Sequence, residues 1–138
     1  FDIELGLFRK DLEAEETQTV WQNKMDEYLG VVPEDPSNGV LQDIHWSSGQ
    51  FGYFPSYAFG NLYAAQIYDA VNEDISSLPE NISDGKFSPL LDWLRENIHT
   101  HGRRYLAEEM TKRLSGEGLS EDYYISYLKE KYNPIYGL

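Results

Sequence analysis

The feature that most constrains this chain is the run from Ser56 to Asn72, where Phe59, Leu62, Tyr63, Ile67, Ala70 and Val71 recur three and four residues apart. A helix turns once in about 3.6 residues, so this spacing gathers them on one face. No stretch alternates apolar and polar residues between hairpin turns, so a sheet has no support. The helical spacing also appears at Ile3, Leu7, Phe8 and Leu12, and at Trp21, Met25 and Leu29. The second of these predicts a helix over about 19–28, with Thr17 or Thr19 as its cap and Gly30 as its end. After a loop at 31–39 with two prolines, a helical segment is expected from near Asn38, carrying Gln42 to Trp46, and 47–55 is expected to be irregular.

Further on, the polar stretch 73–86 reads as a loop with no structure of its own. Ser88 and Pro89 read as a cap and a first-turn proline for a helix burying Leu90, Leu91, Leu94 and Ile98 and stopping at Gly102. Two shorter helices, about 107–114 and 121–131, flank Gly116-Glu117-Gly118, with Ser120 capping the second. The expected fold class is all-α, with no internal repeat and no clear boundary inside 1–138. The opening helix has no cap before it and the chain starts at Phe1, which predicts a piece of a longer protein.

Composition excludes several functions. With 24 acidic and 11 basic residues the formal charge is −13, and no basic run is longer than a pair such as Arg103-Arg104, so nucleic acid is not an expected partner. The spread of acid reads as a solvated face, with adaptation to high salt as the sharper alternative. No apolar run approaches the roughly 20 residues that cross a bilayer, so no membrane partner is expected. There is no cysteine, which rules out thiolate metal sites and favours a reducing, cytoplasmic setting. No Asp-x-Asx-x-Asx-Gly run suggests a calcium loop.

One segment carries chemistry. Gly39-Val40-Leu41-Gln42-Asp43-Ile44-His45-Trp46 packs an amide, a carboxylate, an imidazole and an indole into five positions, and a Gly- and Tyr-rich connection, 47–57, comes after it. These could be hydrogen-bonding loop residues and core aromatics. They could equally be the wall of a polar pocket, whose imidazole and phenols donate to a substrate.

The string Gly-x-x-Gln-Asp-x-His-Trp resembles a signature motif of the carboxypeptidase Taq family, and Phe51-Gly52-Tyr53-Phe54-Pro55-Ser56-Tyr57 is similar to the segment next to that motif in the family. The resemblance reaches back to Phe1-Asp2-Ile3-Glu4 and forward to Ile135-Tyr136-Gly137-Leu138. It implies the C-terminal helical portion, 1–138, of a larger, mostly helical zinc metallocarboxypeptidase that removes single C-terminal residues from peptide substrates with broad specificity. It also implies a homodimer for the intact protein. The zinc of such enzymes sits on His-Glu-x-x-His, where residues four apart share a helix face and the Glu serves as general base. Here the histidines are His45, His99 and His101 and the motif is absent, so the chain is expected to lack the zinc ligands, to bind zinc weakly and to be inactive alone.

By the same resemblance, His45 with Tyr57, or with Tyr53 as second choice, would stabilise the transition state. Gln42 would hold substrate amide or carboxylate, and Asp43 would orient a metal-ligating or substrate-binding side chain from the missing part. Trp46, Phe51 and Phe54 would form pocket wall. The competing hypothesis is a helical interaction module that uses the aromatic stretch from Trp46 to Tyr63 as a contact surface.

Overall fold

Spacings of three and four become eight α-helices and four one-turn 3-10 helices, with no strand, in a computed structural model that describes all 138 residues. The chain falls into two compact units, Phe1–Tyr57 and Ala58–Leu138.

In the first unit, α1 (Asp2–Arg9) ends where Lys10 turns left-handed, φ 62°, so Leu12 lies beyond the helix rather than on it. A 3-10 turn at Ala14–Glu16 then leads into α2 (Thr17–Leu29). The start signal is acidic, not Thr17 or Thr19: the Glu16 carboxylate accepts from the backbone N–H of Glu13 at 3.0 Å, and Thr17 is buried inside the first turn. Gly30, φ 65°, closes α2 as expected, its N–H donating to the Asp26 carbonyl. Lys24 and Asp2, 3.0 Å apart, tie α2 to α1.

The single helix expected from Asn38 through Trp46 is broken into three pieces. Two 3-10 turns, Pro36–Asn38 and Val40–Gln42, precede the short α3 (Ile44–Ser47). The break has two causes. Gly39 is buried against Pro33, so close that a Cβ at position 39 would lie 3.2 Å from the proline Cβ. Asp43 is extended, φ −77° and ψ 94°, and uses its side chain to cap α3. Residues 48–54 form the irregular bend expected of them.

The second unit is organised by α4 (Pro55–Asp74), which starts at the end of the first unit. Ala70 and Val71 of α4, Leu78 of α5 (Leu78–Ser83) and Trp93 of α6 (Ser88–Asn97) form the buried core, with Ile67, Ile75, Leu90 and Leu94 against it. The stretch 73–86 is therefore not a bare loop: α5 lies within it, and Leu78 is fully buried. On α6 the buried aromatic is Trp93, whose indole donates to Asp74 at 2.7 Å, while Leu91 is exposed and Ser88 is inside the helix rather than capping it.

α7 (Ala107–Ser115) and α8 (Asp122–Tyr136) complete the unit, α8 running through Pro134 well past the expected end at Lys131. Ser120 does accept from the N–H of Asp122, at 3.2 Å. Between these helices the fully buried side chain of Gln66 gathers the turn: its amide donates to Ser115 Oγ at 2.8 Å and to the Gly118 carbonyl at 2.9 Å, while its carbonyl accepts from Ser120 N–H at 3.0 Å. Every polar atom of that buried amide is paired, which is what burial demands.

Candidate functional site

The first unit brings Asp43, His45, Tyr53 and Tyr57 together. Asp43 begins α3: its Oδ1 accepts from the His45 backbone N–H at 2.9 Å and lies 2.9 Å from His45 Nδ1. Both side chains are largely shielded, 10% and 14% exposed, so little water competes for this pair. On its other edge the imidazole meets the phenol: His45 Nε2 and Tyr57 Oη are 3.2 Å apart. Gly49 and Gly52, at φ 68° and 74°, let the bend fold back far enough for Tyr57, at the start of α4, to reach the ring.

Aromatic packing fixes the imidazole's plane. Tyr53 stacks on it at 5.2 Å between centroids, and Phe54 meets it edge-on at 5.9 Å. Tyr57 therefore takes the hydrogen bond and Tyr53 the stacking role. Tyr53 and Tyr57 are each about half exposed, so the phenols are open to an incoming group while the Asp43–His45 contact beneath them is not.

The proton arrangement is set by these partners. A carboxylate can only accept, so Nδ1 carries a hydrogen directed at Asp43. In the neutral ring Nε2 is then a lone pair, which accepts the Tyr57 O–H. In the imidazolium both nitrogens donate, the Tyr57 oxygen accepts from Nε2–H, and the phenol hydrogen is free to point outward. Asp43 thus orients His45 of this same chain.

Gln42 and Trp46 stand apart from the cluster. The Gln42 amide donates to the Ser37 carbonyl, bracing the turn before α3. Trp46 stacks on Phe51 at 6.0 Å and meets Trp21 edge-on at 6.4 Å. Its indole donates to Glu4 Oε1 at 3.0 Å. With Asp43, Val40 and Leu41 it also lines an open cavity of about 580 Å³ that His45 and Tyr57 do not reach. Glu4, a buried carboxylate in α1, is the site's neighbour that sequence reasoning missed; the only signal was an acid on the apolar side of an amphipathic helix, next to Ile3.

A metal does not fit the residues present. No three His, Asp or Glu side chains converge, both nitrogens of His45 are engaged within the cluster, and His99 and His101 lie on a 3-10 turn of the other unit, with the His101 ring against Tyr105.

An all-helical chain whose Gly-x-x-Gln-Asp-x-His-Trp segment meets Tyr57 at the start of the next helix is placed among metallopeptidases by its family match. The chain matches the family model described as carboxypeptidase Taq (M32) metallopeptidase over residues 1–132, and it belongs to that family. It is 41% identical over 136 residues to thermostable carboxypeptidase 1 of Thermus thermophilus and 39% identical over 136 residues to carboxypeptidase 1 of Bacillus subtilis, in each case over 99% of this chain and 27% of the relative. Among solved structures, the M32 carboxypeptidase from Deinococcus radiodurans superposes with a TM-score of 0.94 at 33% identity, covering 100% of this chain and 28% of that one. Metallocarboxypeptidase 1 of Trypanosoma cruzi gives 0.90 at 35%, covering 95% and 27%. The chain thus spans about a quarter of the length of the relatives it matches.

Proposed function

We propose that this chain supplies the hydrogen-bonding side of a metallocarboxypeptidase site, in which Tyr57, driven by His45 and Asp43, donates to the peptide carbonyl oxygen as it becomes an anion. The observation that carries this is the unbroken line from the Asp43 carboxylate through His45 to Tyr57, at 2.9 and 3.2 Å, ending on an exposed phenol. Family membership favours this reading over an interaction module. Zinc, in this reading, is held by residues of the family-length protein outside these 138, so the chemistry open to this chain is hydrogen bonding and proton placement. Release of single C-terminal residues with broad specificity, a homodimer and a cytoplasmic setting complete the proposal on the strength of the family.

A phenol donor gains most when a carbonyl oxygen turns into an oxyanion, because the bond strengthens with the charge. The imidazolium form of His45 leaves the Tyr57 hydrogen free to make that bond, and in that form Nδ1–H still points at the Asp43 carboxylate. Tyr53 holds the ring in plane, and Gln42, whose amide keeps a second hydrogen and its carbonyl oxygen beyond the bond to Ser37, would meet substrate amide or carboxylate.

The test is kinetic, in the family-length protein with a blocked dipeptide and with metal content checked. Tyr57→Phe and His45→Ala are expected to lower kcat by about 10²-fold or more with KM little changed. Asp43→Asn should lower kcat as well, since an amide can donate to Nδ1 and so put the ring in the wrong tautomer. If KM alone rises, these residues hold the substrate's terminal carboxylate. If neither constant moves, they are packing residues and Tyr53 becomes the remaining candidate.

A further inference from the structure

We infer that Glu4 is a positioning residue for the His45–Tyr57 pair, an assignment that rests on the proposed role of that pair. Its side chain is 6% exposed, and one oxygen, Oε1, accepts from both Trp46 Nε1–H at 3.0 Å and Gly52 N–H at 2.8 Å. Those two donors stand on opposite arms of the bend. Trp46 is the residue directly after His45 on α3, and Gly52 directly precedes Tyr53, the residue stacked on the imidazole. One acceptor atom on α1 therefore pins the arm that carries the imidazole to the arm that leads to the phenol.

Within the bend, Ser48 and Gln50 N–H donate to the His45 carbonyl and Gly49 N–H to the Trp46 carbonyl, which fixes its first turn but does not reach the arm from Phe51 onward. The stack of Trp46 on Phe51 and the edge contact of Phe8 with Phe51 give it area but no register, because an aromatic face can slide. The hydrogen bonds to Glu4 do set register: both are short, and a charged acceptor makes them stronger than neutral ones. A shift of an ångström between the arms would open the 3.2 Å contact between His45 and Tyr57, and displacements of that size are enough to cost a reaction much of its rate.

The second oxygen gives the test its sharpness. Oε2 is buried with no hydrogen-bond partner. Glu4→Gln keeps a carbonyl oxygen for Trp46 and Gly52 and puts the new amide nitrogen where nothing is bonded. Glu4→Leu removes the acceptor while keeping the volume, and Trp46→Phe removes one donor while keeping the stack.

In the family-length protein, Glu4→Leu and Trp46→Phe are expected to lower kcat by roughly tenfold or more with KM within about threefold, and Glu4→Gln to stay within about threefold in both. The His45 ring resonances, assigned by their loss in His45→Ala, should move in Glu4→Leu and Trp46→Phe and stay in place in Glu4→Gln. If Glu4→Leu does not fold, Trp46→Phe decides. Unmoved His45 resonances in the folded variants overturn the inference, and so does a Glu4→Gln protein as impaired as Glu4→Leu, since the acceptor would then not be what matters. If Tyr57→Phe and His45→Ala retain full kcat while the resonances move as expected, the catalytic reading of the pair fails and the positioning of His45 by Glu4 stands.

Discussion

Asp43 shows how much one side chain settles here. The oxygen that starts α3 by accepting from the His45 backbone also selects which imidazole nitrogen carries hydrogen, so helix geometry and tautomer are set together. A second hydroxyl has a consequence that can be titrated. The Glu117 carboxylate accepts from the Tyr123 hydroxyl at 2.6 Å and pushes that phenol up to about 12, with burial and then the charges of Glu117, Asp69 and Glu73 adding to it. A group raised in the folded state stabilises fully below its unfolded value, here about 10, and loses that contribution as pH climbs through the folded value. The melting-temperature gap between the parent and Tyr123→Phe should therefore be constant below pH 10 and shrink towards pH 12. A gap that persists unchanged to pH 12 would deny the bond this role.

The chemistry-bearing letters were legible at this scale, because Gln, Asp, His and Trp in five positions are unusual whatever surrounds them. Their partners were not. Nothing in the spacing tells that Asp43 turns to His45, that Tyr57 rather than Tyr53 takes the hydrogen bond, or that Glu4 lies beneath the bend 42 residues before Trp46. The first two are settled by the cap of α3 and the bend after it, and the third by how α1 packs.

At the scale of elements, long helices announced themselves and short ones did not. α4 offers five turns of apolar spacing, whereas α5 has fewer than two, in which only Leu78 and Ile82 lie four apart. Periodicity needs a longer window than that, so a polar stretch with three serines and a proline reads as loop. Packing overrides it. Leu78 is fully buried in the core of the second unit, and Leu78→Ala is expected to destabilise that unit by about 2–5 kcal/mol through lost burial and the cavity left behind. Denaturant unfolding, monitored by Trp93 fluorescence, would measure it; a loss under about 0.5 kcal/mol would return α5 to the status of a surface loop.

The end of α8 was missed for a related reason. Pro134 removes one backbone donor but only near the last turn, where the helix still closes through the Gly137 N–H and the Asn133 carbonyl at 2.8 Å.

For the molecule as a whole, charge is the feature read most directly from the sequence and least resolved by local contacts. Of 24 acidic residues, only Asp2, Asp84 and Asp92 have a lysine or arginine within ion-pair distance. The rest repel one another across a surface carrying a formal −13. Added KCl should therefore raise helicity and melting temperature steeply between dilute buffer and about 1 M, where the Debye length falls to about 3 Å. A flat response, measured by circular dichroism, would mean that the acid is an ordinary solvated face.

The carboxylate under the bend also sets an order of events in time. His45 and Tyr57 are 12 residues apart and can meet in a local turn, but the bonds that hold their arms together reach across 42 and 48 residues to α1. Closing the longer loops costs more chain entropy, so in a refolding first unit the imidazole–phenol contact is expected to form before the bonds to Glu4. The Trp46 indole donates to Glu4 only with α1 in place, so its fluorescence during refolding should report the later step.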